Sequence, residues 1–123
     1  MKFPKDCKIL WQDRKRHLGL PISFYRYYLV EKEGEWVKLY RHKGFLTSIV
    51  DEINVYRCYD LSLIISLADK IFRTGTIEIY SNDAKAPIFH LRHVTKPYEI
   101  RDQLSSLIEV ERKKRHVSIA EIQ

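Results

Sequence analysis

The chain has 123 residues, of which 45% are hydrophobic, and it carries 22 lysines and arginines against 16 aspartates and glutamates. This length suits one domain that buries roughly two-thirds of its unfolded-state surface, and the apolar fraction excludes wholesale disorder. The longest nearly apolar run, Leu61 to Ala68, is far shorter than the about twenty residues that cross a bilayer. The first eight residues lack the apolar centre of a secretory signal, so we expect a cytoplasmic protein.

The excess positive charge lies in the first third of the chain. Residues 1–43 carry 11 basic and 5 acidic side chains, whereas the rest of the sequence is balanced. A second basic cluster, 112–115, is offset by Glu109 and Glu111. Such asymmetry can attract phosphate from nucleic acid or from an anionic membrane, and a solubilising surface is the alternative.

Short segments that are rich in aromatic and β-branched residues, or that alternate apolar and polar residues, dominate the first hundred positions. Eight such segments, at 8–11, 24–30, 36–41, 45–50, 53–58, 61–68, 76–81 and 88–94, together predict about seven short strands. The polar segment 31–35 around Gly34 predicts a β-hairpin, and Asp51-Glu52 predicts a bend. Segment 69–75 is expected to be a connection. We expect the core to include Ile77, Ile79, Phe89 and Leu91.

The hydrophobic period changes after Pro97, a residue suited to the first position of a helix. Ile100, Leu104, Leu107 and Ile108 then recur at helical spacing and form one apolar stripe. We expect this helix to fray beyond Arg112, where like charges follow one another.

The predicted fold is mainly β: a barrel of about seven antiparallel strands in two near-orthogonal sheets, capped by one C-terminal helix. The predicted organisation is a domain at 8–112, an N-terminal extension at 1–7 and a basic tail at 113–123. Because antiparallel strands must cover or pair their edges, the helix is expected to close the array.

Five segments resemble the bacterial pleckstrin-homology (PH) domain family over roughly residues 9–111. They are the aromatic strand 25–30, the hairpin around Gly34, the stretch 44–53, the run from Phe72 to Tyr80, and Val94-x-x-Pro97-Tyr98 before a helix. The resemblance implies a PH-like barrel of the type found in bacterial membrane-associated proteins. It implies no specific ligand.

Lipid-binding PH domains hold inositol phosphates with basic residues that flank the loop between their first two strands. We place that loop at 31–35, where three acidic residues face a single lysine. A phosphate would meet like charge there, so the sequence disfavours a phosphoinositide site.

No segment matches a catalytic or phosphate-cradling motif, and we predict no catalytic residue, no cofactor and no metal ligand. His90 and His93 are three residues apart, which on a strand places them on opposite faces. The lone thiols Cys7 and Cys58 lack redox or metal spacing. We therefore predict a protein that is not an enzyme.

The predicted function is a binding module that presents surfaces to a protein partner or to a second copy of itself. The alternative is docking on anionic membranes at the inner face of the cell membrane, with Trp11 as an interfacial anchor. The candidate anion-binding residues are Arg14, Lys15, Arg16, Arg41 and Lys43. Nucleic-acid binding is disfavoured because the tyrosines fall on predicted strands, where cross-strand packing explains them.

Overall fold

The computed structural model describes residues 2–20 and 22–122, with side chains described as far as Arg115. In this part of the chain, seven antiparallel strands form two sheets. The first sheet has the order β1-β2-β3-β4 and comprises Cys7–Arg14, Tyr25–Lys32, Trp36–Lys43 and Ile49–Asn54. The second has the order β5-β6-β7 and comprises Cys58–Ile64, Thr74–Ser81 and Ile88–Thr95.

Two helices complete the fold. The short helix α1, Leu67–Phe72, joins β5 to β6, and the long helix α2, Pro97–Ile122, follows β7. A single turn of 3-10 helix, Val55–Arg57, links the two sheets. The predicted fold class is therefore confirmed: a mainly β domain of two antiparallel sheets with a C-terminal helix that caps it.

The core fills the space between the two sheets and α2. In β2, β3 and β7 the core residues are spaced so that one face of the strand is the more buried, as expected for a half-buried pleated strand, whereas β6 buries the four consecutive residues 74–77. The predicted inward residues Ile77, Ile79, Phe89 and Leu91 are all buried. Ile100, Leu104 and Ile108 of α2 are buried against the same core, and Leu107 packs beside them.

Helix α2 begins at Pro97 as predicted, but its backbone continues beyond Arg112 to Ile122. The predicted domain boundary at residue 113 thus falls inside this helix. Of the predicted tail, Gln123 lies outside the described residues, as do the side chains beyond Arg115.

The predicted bend at Asp51-Glu52 is wrong, because both residues lie within β4. Asp51 is the register partner of Arg41, and their side chains are 2.8 Å apart; Glu52 lies 3.6 Å from Lys38. Opposite charges on neighbouring strands stabilise a sheet, and here they compensate for the low strand propensity of the acids.

Helix α1 lies where we had predicted the end of the strand 61–68 and the connection 69–75. It begins with a capping box, in which the Ser66 hydroxyl accepts from the Asp69 amide and the Asp69 carboxylate accepts from the Ser66 amide. It ends at Arg73, whose backbone is left-handed at φ +57°. The Ser-x-x-Asp pattern is a known signal for the start of a helix. The prediction of a strand here rested on the hydrophobic pattern instead.

Candidate functional site

Three segments meet at one end of the molecule: the β1–β2 connection 15–24, the β3–β4 connection 44–48, and α1. We call this surface the loop end. The Gly44 amide donates to the Phe24 carbonyl at 3.3 Å, and the rings of Phe24 and Phe45 are 5.0 Å apart. A Cβ added at Gly19 would lie 3.1 Å from the Phe72 ring, so α1 packs against the β1–β2 connection.

The tips of the loop end expose large apolar side chains. Leu46 is 92% exposed and Phe45 is 75% exposed, and the same surface carries further exposed apolar residues: Leu18, Leu20, Ile22, Phe24, Leu67 and Ile71. Large apolar side chains that are exposed together on one surface of a folded domain are a feature of interaction sites.

A backbone feature holds one of these tips in place. His17 and Leu20 exchange two backbone hydrogen bonds of 2.9 Å, and both residues between them have positive φ, Leu18 at +52° and Gly19 at +81°. Glycine tolerates this conformation, but a leucine adopts it at a cost of about 1–2 kcal/mol. The turn therefore holds Leu18 in place while its side chain remains 64% exposed.

The two connections and the strand ends beside them carry basic but no acidic side chains. Segments 14–26 and 42–50 contain five lysines and arginines and no aspartate or glutamate. In α1, Lys70 is exposed, whereas Asp69 is only 3% exposed. The surface is therefore apolar at its tips and cationic at its margin.

The strand register adds a cationic row that the sequence had not suggested. Arg14 of β1 is paired with Arg26 of β2, which is paired in turn with His42 of β3. Tyr27, the neighbour of Arg26, is buried, so this row lies on the outer face of the sheet. The register therefore places two arginines and a histidine side by side on this face, where the three strands approach the loop end.

The structure brings four of the five predicted anion-binding residues to this end. Arg14 ends β1, Lys43 ends β3, and the Lys15 ammonium lies 5.2 Å from the centre of the Tyr25 ring. Arg16 is paired with Asp13 at 3.2 Å, and among the described side chains it has the one buried polar atom without a partner, its Nε.

Arg41, the fifth predicted residue, differs from the others because its side chain contacts partners within the fold. Its guanidinium bonds the Asp51 carboxylate at 2.8 Å and lies 5.0 Å from the centre of the Phe89 ring. Its charge is therefore compensated within the sheet. Trp11, the predicted interfacial anchor, packs against the core.

Two carboxylates fix the base of the loop end. Asp13 accepts from the amide and the hydroxyl of Thr95 at 2.9 and 2.8 Å, which joins the end of β1 to the end of β7. The Arg16 amide donates to the His93 carbonyl at 2.9 Å beside this contact. These bonds close the seam between the two sheets.

Asp69 holds α1 against the second sheet. Its carboxylate accepts from the Thr74 hydroxyl at 2.7 Å and lies 2.9 Å from Nδ1 of His93. Burial by itself raises the pKa of Asp69, but hydrogen bonds from the Ser66 backbone, Thr74, His93 and the Ser66 hydroxyl outweigh burial and lower the pKa to about 2. The Asp69 carboxylate is therefore ionised in the folded protein, where its hydrogen bonds hold α1 in place.

The two histidines of β7 have different partners. His93 is paired with Asp69, whereas Nε2 of His90 lies 3.7 Å from a carboxylate oxygen of Glu78. Burial, followed by the nearby Arg92 charge, lowers the pKa of His90. Within the described residues, no group of three or more histidine, cysteine or acidic side chains is placed to hold a metal ion. No helix in this part of the chain is long and apolar enough to cross a membrane.

The sequence placed the loop between the first two strands at 31–35, and that placement is wrong. Segment 31–35 joins β2 to β3, with Gly34 at φ +77° in the turn. The connection between the first two strands is 15–24, which carries Lys15 and Arg16 and no acidic residue. The like-charge reason for disfavouring phosphate therefore does not apply to the loop end.

Comparison with protein-family models, with curated proteins and with solved structures finds no match to this chain. The strand order and the capping helix are consistent with a PH-like topology.

Proposed function

We propose that this protein is a non-enzymatic module of the PH-like barrel type that docks through its loop end on an anionic membrane surface. The fold supports the family proposal through its order of elements, a four-stranded sheet, a three-stranded sheet and a C-terminal helix. In this proposal the two sheets are near-orthogonal halves of one barrel, and the protein works in the cytoplasm at the inner face of the membrane.

One observation carries the proposal: exposed apolar tips and basic side chains share one end of the molecule. Leu46 and Phe45, both in the β3–β4 connection, are among the most exposed large apolar side chains of that end. Fully burying such a side chain is worth about 1.5–3 kcal/mol, and each base near an anionic bilayer adds about 1 kcal/mol. Tips that enter the apolar boundary and bases that meet headgroup phosphates would act together.

The cationic row Arg14–Arg26–His42 gives the proposal a specific phosphate-facing element. Its side chains stand on the outer face of the sheet, beside the β1–β2 and β3–β4 connections. The guanidinium group forms paired hydrogen bonds with phosphate oxygens, which an isolated lysine does not. Phosphates of the lipid headgroups would lie over this row while the apolar tips reach deeper.

The second candidate function is association with a protein partner or with a second copy of the chain. The same exposed apolar tips favour it, because an apolar patch is also what a protein interface buries. The two candidates differ in their response to salt, since attraction to anionic lipid weakens as the Debye length shortens.

Cosedimentation with vesicles tests the proposal. Vesicles of phosphatidylcholine alone are compared with vesicles that also contain phosphatidylglycerol, at low and at high salt. The charge variant K15Q/R26Q/K43Q is matched by K5Q/K8Q/K85Q, which removes three exposed lysines elsewhere. Three bases at about 1 kcal/mol each correspond to a loss of about a hundredfold in binding to the anionic vesicles.

The apolar variant F45S/L46S isolates the contribution of the tips, because it leaves every charge in place. We expect it to weaken binding to anionic vesicles by at least about tenfold. Absence of wild-type binding to the anionic vesicles at low salt would refute membrane docking. A concentration-dependent dimer that F45S/L46S dissociates would then favour self-association. A salt-dependent mobility shift of an oligonucleotide, lost in the charge variant, would instead indicate nucleic acid.

A further inference from the structure

A groove of about 990 Å³ lies between β5 and α2, away from the loop end. Tyr59 and Leu61 of β5 form one wall, Ser105 and Arg112 of α2 form the other, and Tyr56 lies at one end. Loop-end segments do not line this groove. It is therefore a second surface, independent of the one proposed to meet the membrane.

The backbone of β5 is open along this wall. β5 is an edge strand of its sheet and pairs only with β6. The Leu61 amide donates to the carboxylate of its neighbour Asp60 at 2.8 Å rather than to another strand. A sheet edge with an outward amide is a template for a further strand.

Cations converge at the Tyr56 end of the groove. The Arg57 Nε donates to the Tyr56 hydroxyl at 3.3 Å, and the Arg115 guanidinium lies 4.1 Å from the centre of the same ring. Arg112 and Lys113 extend this cationic end along α2. Two acids, Asp60 and Glu109, also line the groove, but they are outnumbered by the three bases Arg112, Lys113 and Arg115. An anionic group of a ligand would be attracted to the Tyr56 end.

We propose that this groove binds an extended, acidic peptide segment of a protein partner. The segment adds to the edge of β5 as a fourth strand of the three-stranded sheet, and one of its carbonyls replaces the Asp60 carboxylate as the acceptor of the Leu61 amide. An acidic side chain of the segment lies at the Tyr56 end, between Arg57 and the guanidinium groups of Arg112 and Arg115. The proposal does not depend on membrane docking, because the two surfaces share no residue.

Selection from a random peptide library displayed on phage, followed by NMR, tests the proposal. The probe is the most enriched peptide, synthesised and titrated into the full-length ¹⁵N-labelled protein. We expect the enriched peptides to be rich in Asp and Glu. We expect the largest amide shifts at Tyr59, Leu61 and Leu63, and protection of the Leu61 amide from hydrogen exchange.

Charge reversal at the Tyr56 end provides the matched comparison. The variant R112E/R115E is expected to weaken binding of the selected peptide by about tenfold or more, whereas K8E/K85E, with the same change of net charge, is not. Both pairs are exposed, so the fold is retained, which the unchanged spectrum of the remaining amides verifies.

Three results would overturn the proposal: no enrichment of acidic peptides, amide shifts confined to the loop end or to β1, or equal affinity for R112E/R115E and wild type. Binding in which shifts occur at α2 but the Leu61 amide stays unprotected would refute strand addition. None of these results bears on vesicle binding, so each proposal can be refuted independently of the other.

Discussion

Acidification should remove a defined part of the stability of this protein through one buried carboxylate. Asp69 is 3% exposed and has a pKa of about 2 in the folded state, against 3.8 for the free side chain. At 1.36 kcal/mol per pKa unit, this lowering of the pKa amounts to about 2 kcal/mol of folding stability. Because the folded-state pKa is the lower one, this stability is present above pH 3.8 and is lost as the pH falls through about 2.

The variant D69N isolates this contribution because it removes the ionisable group. We expect D69N to be less stable than wild type at neutral pH by about 2–3 kcal/mol, since hydrogen bonds to a charged acceptor are replaced by weaker ones. The gap should narrow by about 2 kcal/mol as the pH is lowered through about 2, below which the wild-type carboxyl is also neutral.

Urea unfolding followed by tryptophan fluorescence at a series of pH values measures the gap. The exposed Glu33 provides the control E33Q, for which we expect no comparable change. A gap between wild type and D69N that stays constant from neutral pH to pH 2 would refute the pH linkage. A gap near zero at every pH would show that the contacts of Asp69 with Thr74 and His93 do not stabilise α1.

Three further predictions concern the core, the loop end and the thiols. L104D places a charge at a 1% exposed position of α2, and we expect it to unfold or aggregate the protein; an unchanged melting curve would show that α2 is not part of the core. G44A places a Cβ 1.7 Å from the Thr47 carbonyl oxygen at φ +137°, so we expect a loss of several kcal/mol in urea unfolding, and wild-type stability would contradict this turn geometry. Burial raises the pKa of Cys58 to about 12, so iodoacetamide at pH 8 should modify Cys7 and leave Cys58 unmodified in the native protein, as mass spectrometry would show; equal labelling would mean that Cys58 is accessible.

Local sequence patterns were sufficient to predict the structure of several segments. The hairpin around Gly34, the inward pairs Ile77/Ile79 and Phe89/Leu91, and the start of α2 at Pro97 were all predicted and are confirmed. Each is decided by neighbours within a few residues, through alternation, helical spacing or turn chemistry.

The candidate site was only partly predictable because its members come from distant parts of the chain. The register of the Gly34 hairpin could have paired Arg26 with His42 in advance, since two such strands are aligned by their turn. The pairing of Arg14 with Arg26 could not be deduced, because the intervening connection 15–24 sets no register by its length. The meeting of Phe24 with Phe45 is likewise a result of strand order.

The amino-acid sequence alone determined the class of this fold, through the period-2 strands and the single apolar stripe that begins at Ile100. Only the tertiary structure decided that Asp51 and Glu52 extend a strand and that the exposed leucines and phenylalanines of three segments meet beside Arg14 and Arg26. The physical reason is that hydrophobic periodicity is a local property of the chain. Cross-strand charge pairs and surface patches, in contrast, depend on which distant residues the folded sheets place side by side.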